Sequence, residues 1–172
     1  MTIAPPRRRP ARIVPLGGAI LLGFCAAALF PPGAARAQPP PQYLPIEARW
    51  CLTPDRCVLL EVPRGERQFS FGLQMRPPLK PLQGMWFDFG SPVLARFWMH
   101  RTPSSLDMVF IRDDRVVAIE ANAKPCMNLP CPSYGPDQRV QSVVELGAGQ
   151  AAALGIRVGD PVRIERLQGR RP

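Results

Sequence analysis

The hydrophobic pattern changes character three times along the chain. Ile13 to Phe30 form an apolar run, Gln38 to Pro45 hold four prolines in eight residues, and from Ile46 onward short apolar stretches recur between turn residues. Ile46 to Leu52 and Cys57 to Val62 are rich in strand formers and flank Thr53-Pro54-Asp55-Arg56, which has turn chemistry, so they predict a hairpin. Arg64 to Met75 lacks alternation and spaces Phe69, Phe71, Leu73 and Gln74 as a short helix would, closing at Arg76-Pro77-Pro78. Four further strands are predicted over Gly84–Phe89, Arg96–Thr102, Leu106–Arg112 and Val116–Ala121, the last two joined across Asp113-Asp114-Arg115. Val140 to Leu146 follows as a strand. Gly149 to Leu154 is a small Ala-rich helix ended by Gly155, and Val162 to Leu167 is a closing strand. The fold expected is mainly β (α+β), a small closed or nearly closed β-barrel of seven or eight short strands with two short helices, because closure removes exposed strand edges.

The apolar run at the start belongs to a different structure. A basic stretch at Arg7 to Arg12 precedes it and Ala35-Arg36-Ala37 follows it, the three parts of a cleavable export signal over residues 1–37. Pro15, Gly17, Gly18, Gly23 and Pro31-Pro32 make the run a poor permanent span. An uncleaved anchor is the rival. Phe24 argues against lipid attachment at Cys25, and the Arg pairs leave Sec or twin-arginine export open. The organisation read is thus a signal peptide at 1–37, a Pro-rich linker at 38–45, one domain at 46–168 and a basic tail at 169–172. A bacterial envelope location follows, periplasmic or secreted, with no permanent membrane span after cleavage.

Export changes the meaning of the charge. The formal net charge is +9, but Arg7, Arg8, Arg9, Arg12 and Arg36 lie in the leader. The remaining 17 basic and 13 acidic residues give +4, dispersed rather than striped, which argues against a nucleic-acid partner. The cysteines follow the same logic. Cleavage removes Cys25 and leaves two locally spaced pairs bound for an oxidising compartment, so disulfides joining 51 to 57 and 126 to 131 are expected. A four-thiolate zinc site is the rival, at spacings looser than usual knuckles.

Three stretches in order carry a resemblance. They are Gly72-Leu73-Gln74-Met75-Arg76 followed by Gly84-Met85, then Phe97-Trp98-Met99-His100-Arg101-Thr102 with Leu106-Asp107-Met108-Val109-Phe110, then Val144-Glu145-Leu146 with Gly155-Ile156 and Gly159-Asp160. Together they resemble the DUF192 family over residues 57–167, and Cys126 and Cys131 look like a cysteine pair found in many members. The resemblance implies a small β-barrel with short helices and no established activity, so no catalytic residue, cofactor or metal ligand is carried over. His100 and Arg101 stand where that family commonly has Lys and Asn. Pro63 to Arg67 replaces its usual polar helix start, and Gln74 interrupts its Gly-Leu-Met.

His100 is the one histidine of the chain, so a histidine-rich metal site is excluded within one chain and His100 makes any binding at that position pH-sensitive. Strand alternation over Arg96–Thr102 puts Trp98, His100 and Thr102 on one face and Phe97, Met99 and Arg101 on the other. The bland reading has Phe97 and Met99 filling core beneath a partly exposed rim. The functional one is a cleft of Trp98, His100, Arg101, Thr102, Asp107 and Glu145 that binds a small polar ligand or an envelope protein partner, the protein itself being a monomer and not an enzyme. Two alternatives stand beside it. Asp107 and Glu145 would serve a hydrolase acting on a cell-wall or carbohydrate substrate if their carboxyls lay within about 5–10 Å. Met75, Met85, Met99, Met108 and Met127 with His100 would suit a soft metal such as copper, although Met is also a routine core filler. Leu146-Gly147-Ala148-Gly149 reads first as a strand-to-helix turn and second as an anion cradle.

Overall fold

A computed structural model describes residues 39–167. The predicted leader, Cys25 and the 169–172 tail lie outside the described residues. Nine strands and two short helices follow in the order β1 (Ile46–Thr53), β2 (Arg56–Glu61), α1 (Gly65–Phe71), β3 (Gln83–Val93), β4 (Phe97–Trp98), β5 (Leu106–Arg112), β6 (Arg115–Ala123), β7 (Ser133–Tyr134), β8 (Val140–Gly147), α2 (Gln150–Ala153) and β9 (Ile164–Arg166). No helix among the described residues is long and apolar enough to cross a membrane.

Seven strands form one mixed sheet in the order β6-β5-β8-β3-β2-β1-β9, and β4 pairs with β7 in a separate ribbon. The mainly β class with two short helices is therefore as expected, but no closed barrel forms among the described residues. The edges β6 and β9 share no ladder. The start of β6 meets instead the segment that leads into β9, where Arg115 bridges Pro161, the Val116 N–H donates to the Asp160 carbonyl and the Val162 N–H donates to the Asp114 carbonyl. Only β2 and β3 run parallel. A parallel pair needs a crossover, and residues 62–82, including α1, supply it.

The period-2 pattern places two cores on the two faces of the sheet. On β5, Val109 and Ile111 join Trp50, Leu60, Val144 and Leu146 in one core, while Met108 and Phe110 join Met85, Phe87, Met99 and Val143 in the other. Being covered on both sides, β5 shows no clean alternation, as expected of a central strand. The β5–β6 hairpin turns on Asp113 and Asp114, both with positive φ (49° and 54°) as a two-residue type I′ turn requires. At Gly84 the chains pack so closely that a Cβ would sit 2.7 Å from the Glu145 carbonyl oxygen.

Both cysteine pairs are joined as disulfides, Cys51–Cys57 across the first hairpin and Cys126–Cys131 within a loop. The helix predicted over Arg64–Met75 is shorter, ending at Phe71. Its N-cap Arg64 has no side-chain cap, in keeping with the absent polar start, and the Arg64 N–H donates to Gln68 Oε1 instead. The predicted linker is partly fastened down. Gln42 Nε2 donates to the carbonyls of Gln68 and Gly72, and the Leu44 N–H donates to Glu61 Oε2.

The strand predicted over Arg96–Thr102 is corrected to the two residues of β4. Arg101 takes a left-handed φ of 57°, and the Thr102 N–H donates to the Met99 carbonyl, closing a turn. Alternation stops there, so Thr102 is buried rather than sharing an exposed face with Trp98.

Candidate functional site

Cross-strand partners in a sheet project from the same face. Following the ladders at one level, Glu61 pairs with Met85, Met85 with Glu145 and Glu145 with Met108. These four form a row across β2, β3, β8 and β5 on the face of the Met85–Phe87–Phe110 core. Two of the four are carboxylic acids, both buried: Glu61 is 8% exposed and Glu145 5%.

Their environments differ. Glu61 accepts two hydrogen bonds from Arg76 Nη1, at 2.8 and 2.7 Å, in a buried ion pair. Arg76 also stacks over the Tyr43 ring, 4.5 Å from its centroid. The Glu145 carboxyl has no hydrogen-bond or ion-pair partner among the described residues. Burial alone raises its pKa from 4.5 to about 8, because the charged form is deprived of water and gains nothing in exchange. A buried acid left neutral by its surroundings marks a functional-site candidate when it sits in a cleft.

Glu145 does sit in one. It lines a cavity of about 270 Å³, walled by Phe69 to Gln74 of the crossover, by Phe87 and Phe89 of β3, and by Ala95 to Trp98 and Thr102. Its rings form a connected set: Phe87 meets Phe69 edge-on at 5.7 Å and Phe97 at 5.0 Å, and Phe69 lies 5.9 Å from Phe89. Gly72 adopts φ 50° in this wall, and a side chain there would meet Phe87. Trp98, half exposed, stands at the rim beside His100, their ring centroids 5.3 Å apart.

Backbone hydrogen bonds hold the rim on both sides. The Met75 N–H donates to the Arg101 carbonyl, tying the crossover to it. The Arg101 N–H donates to the Cys126 carbonyl and the Cys126 N–H to the Met99 carbonyl, tying the rim to the disulfide loop. The Cys126–Cys131 staple thus shapes the surface on which residues 99–101 rest.

Of the six residues predicted to form a cleft, Trp98, Thr102 and Glu145 line this cavity together. His100 neighbours Trp98, and Arg101 contributes its backbone to the rim. Asp107 does not belong. It precedes Met108 and so faces the other side of the sheet, where it is 1% exposed and accepts hydrogen bonds from the Asn122 N–H at 2.8 Å and the Ala151 N–H at 2.9 Å. Asp107 therefore ties β6 and the start of α2 to β5, and it cannot share a substrate with Glu145 on the opposite face. The paired-carboxylate hydrolase arrangement is corrected by this register. Met85, Met99 and Met108 are fully buried in the Glu145-side core, whereas Met127 is exposed on the disulfide loop. Gly149 leads into an α2 of four residues.

The aromatic wall from Phe69 to Gln74 was read in the sequence only as a helix face. The signal available was the recurrence of phenylalanine at 69, 71, 87, 89 and 97, but nothing local says that these residues meet.

A comparison with curated proteins finds no match. Among solved structures, a protein of unknown function from Novosphingobium aromaticivorans is 32% identical with a TM-score of 0.60, over 68% of this chain and 83% of that one. A putative transcription regulator from Sinorhizobium meliloti 1021 is 31% identical with a TM-score of 0.59, over 70% of this chain and 92% of that one. The family described as "Uncharacterized ACR", DUF192, matches residues 51–164. These residues run from the first hairpin to the last strand and contain the whole Glu61–Met108 row, and the chain belongs to the DUF192 family.

Proposed function

We propose that this protein is an exported, extracytoplasmic binding protein that holds a small ligand in the pocket floored by Glu145 and rimmed by Trp98 and Thr102. The observation that carries the reading is the Glu145 carboxyl itself, on a buried residue, without a protein hydrogen-bond partner among the described residues and open to a cavity lined largely by aromatic rings. An unpaired polar group in an apolar setting costs stability, on the order of 1–3 kcal/mol, and a bound molecule that meets it recovers that cost. The cavity, at about 270 Å³, sits at the lower edge of the roughly 300–1,000 Å³ usual for ligand sites, which suits a small molecule. Binding rather than hydrolysis is favoured because the second carboxylate, Asp107, faces the other side of the sheet. Two disulfides and the leader-like first 37 residues support an oxidising destination. The modest, dispersed charge of residues 38–172 lends no support to a role in transcription like that named for the Sinorhizobium protein.

The test is a ¹⁵N-resolved NMR titration of the purified protein against mono- and disaccharides, amino acids, and simple amines, alcohols and carboxylates. Shifts confined to residues 69–74, 95–102 and 145 are expected with at least one compound. A panel that moves only residues elsewhere, or none, overturns the reading.

A further inference from the structure

Resting on that reading, we infer that the occupant of the pocket is a small organic cation, a primary ammonium on an apolar body, whose charge pairs with Glu145 as Arg76 pairs with Glu61. The fold buries two carboxyls in one cross-strand row and supplies a cation to one of them. At Glu61 the guanidinium arrives from the crossover, at Arg76. At Glu145, two strands further along and roughly 10 Å away by strand spacing, the corresponding place is an open cavity. Arg76 is already committed to Glu61 and to the face of Tyr43, so the positive charge for Glu145 comes from outside.

The rest of the lining fits a cation better than an anion or a sugar. Aromatic faces carry negative potential and attract ammonium groups, and Phe69, Phe71, Phe87, Phe89, Phe97 and Trp98 surround the space. An anion would need an uncommitted positive group. Arg96, the cation in the lining, is held by the Gly135 carbonyl and by Asp137. A sugar would need several convergent polar groups. Gln74 Nε2 already donates to the Ser70 carbonyl, and the Thr102 hydroxyl donates to the His100 carbonyl. Ser70 is exposed on α1, and Glu145 is the buried polar side chain left to define the ligand.

Binding a cation to a carboxyl that is neutral in the empty pocket expels a proton. The charged groups around it are Glu61 with Arg76 across β3, Arg96 with Asp137 at the wall, and His100 and Arg101 at the rim. A His100→Gln variant separates the rim imidazole from Glu145.

The experiment compares benzylammonium, benzyl alcohol and benzoate by isothermal titration calorimetry on the purified protein and on Glu145→Gln. Benzylammonium is expected to bind at least tenfold more tightly than the other two at pH 7. With a carboxyl near 8, its affinity should rise about tenfold from pH 6 to pH 7 and level off above pH 8. Two buffers of different ionisation heat should report release of about nine-tenths of a proton at pH 7. His100→Gln should keep this profile, and Glu145→Gln should abolish the preference for the cation. Equal or tighter binding of the alcohol or benzoate, or cation binding without proton release, overturns the cation assignment and leaves a pocket that takes another ligand. Failure of all three probes to bind overturns the cation assignment, while the broader NMR panel decides the pocket itself. Because the proton count is made on the unmodified protein, the conclusion does not depend on the variant folding.

Discussion

Replacing Glu145 by glutamine removes one ionisable proton and almost nothing else, and the pH dependence of stability should change accordingly. In the unfolded chain the carboxyl titrates near 4.5, and in the folded protein burial raises it to about 8. Between those values the folded state keeps a proton that the unfolded chain has released, so folding is progressively disfavoured as pH rises through the window. Below pH 4.5 both states are protonated and above pH 8 both are ionised, so the contribution is flat at either end. Each pKa unit is worth about 1.4 kcal/mol, which gives a difference of about 3 kcal/mol at pH 7 and a ceiling of about 5 kcal/mol above pH 9. Glu145→Gln should therefore match the wild-type protein near pH 4 and exceed its stability by about 3 kcal/mol at pH 7. Urea unfolding of both proteins from pH 4 to 9 with disulfides intact, followed by tryptophan fluorescence, measures this, because every other titrating group cancels in the difference. A difference that stays constant across the range, or grows toward acid, would refute the assignment of an unpartnered buried carboxyl.

Three further outcomes follow from the packing. Asp107→Ala strands the buried Ala151 N–H on the opposite face and removes the bond to the Asn122 N–H, and should cost about 1–3 kcal/mol by chemical denaturation, while leaving probe binding at Glu145 unchanged; weakened binding without loss of stability would contradict the two-face arrangement. Gly84→Ala drives a Cβ against the Glu145 carbonyl oxygen and should cost about 1–3 kcal/mol, and a neutral result in the same assay would show that β3 and β8 can separate freely. Asp114→Gly relieves a left-handed residue in the β5–β6 turn and should raise stability by about 0.5–1 kcal/mol, measured as a higher melting temperature; a fall would show that the aspartate itself supports the turn.

The elements with local signatures were legible in the sequence. The hairpin of β1 and β2, the β5–β6 pair across Asp113 and Asp114, β8 and the Gly155 stop all rest on turn chemistry and on runs of strand formers. What escaped depends on pairings between distant segments. Whether strands of this number close into a barrel is decided by the edge strands β6 and β9, which share no ladder; the start of β6 is held instead by residues 159–162, ahead of β9. The β4 prediction ran too long because β-forming residues continue through Thr102, whereas the backbone turns at Arg101 under hydrogen bonds from Met75 and to Cys126. Asp107 and Glu145 were singled out together, and only the β5–β8 register reveals that they face opposite ways. Glu145 was visible as a carboxyl within an apolar strand, but its lack of a partner among the described residues was not, since Arg76 and Glu61 are equally ordinary in the sequence.

The crossover between β2 and β3 has a bearing on how such proteins diversify. The ladders of the sheet do not run through residues 62–82, yet this connection supplies one wall of the pocket. Connections that stand outside the ladders tolerate insertion and exchange far better than strands do. Gln74, the extra residue in an otherwise familiar Gly-Leu-Met, lies in that wall. Editing this one surface segment would therefore reshape a wall of the cavity while leaving the ladders of the sheet intact.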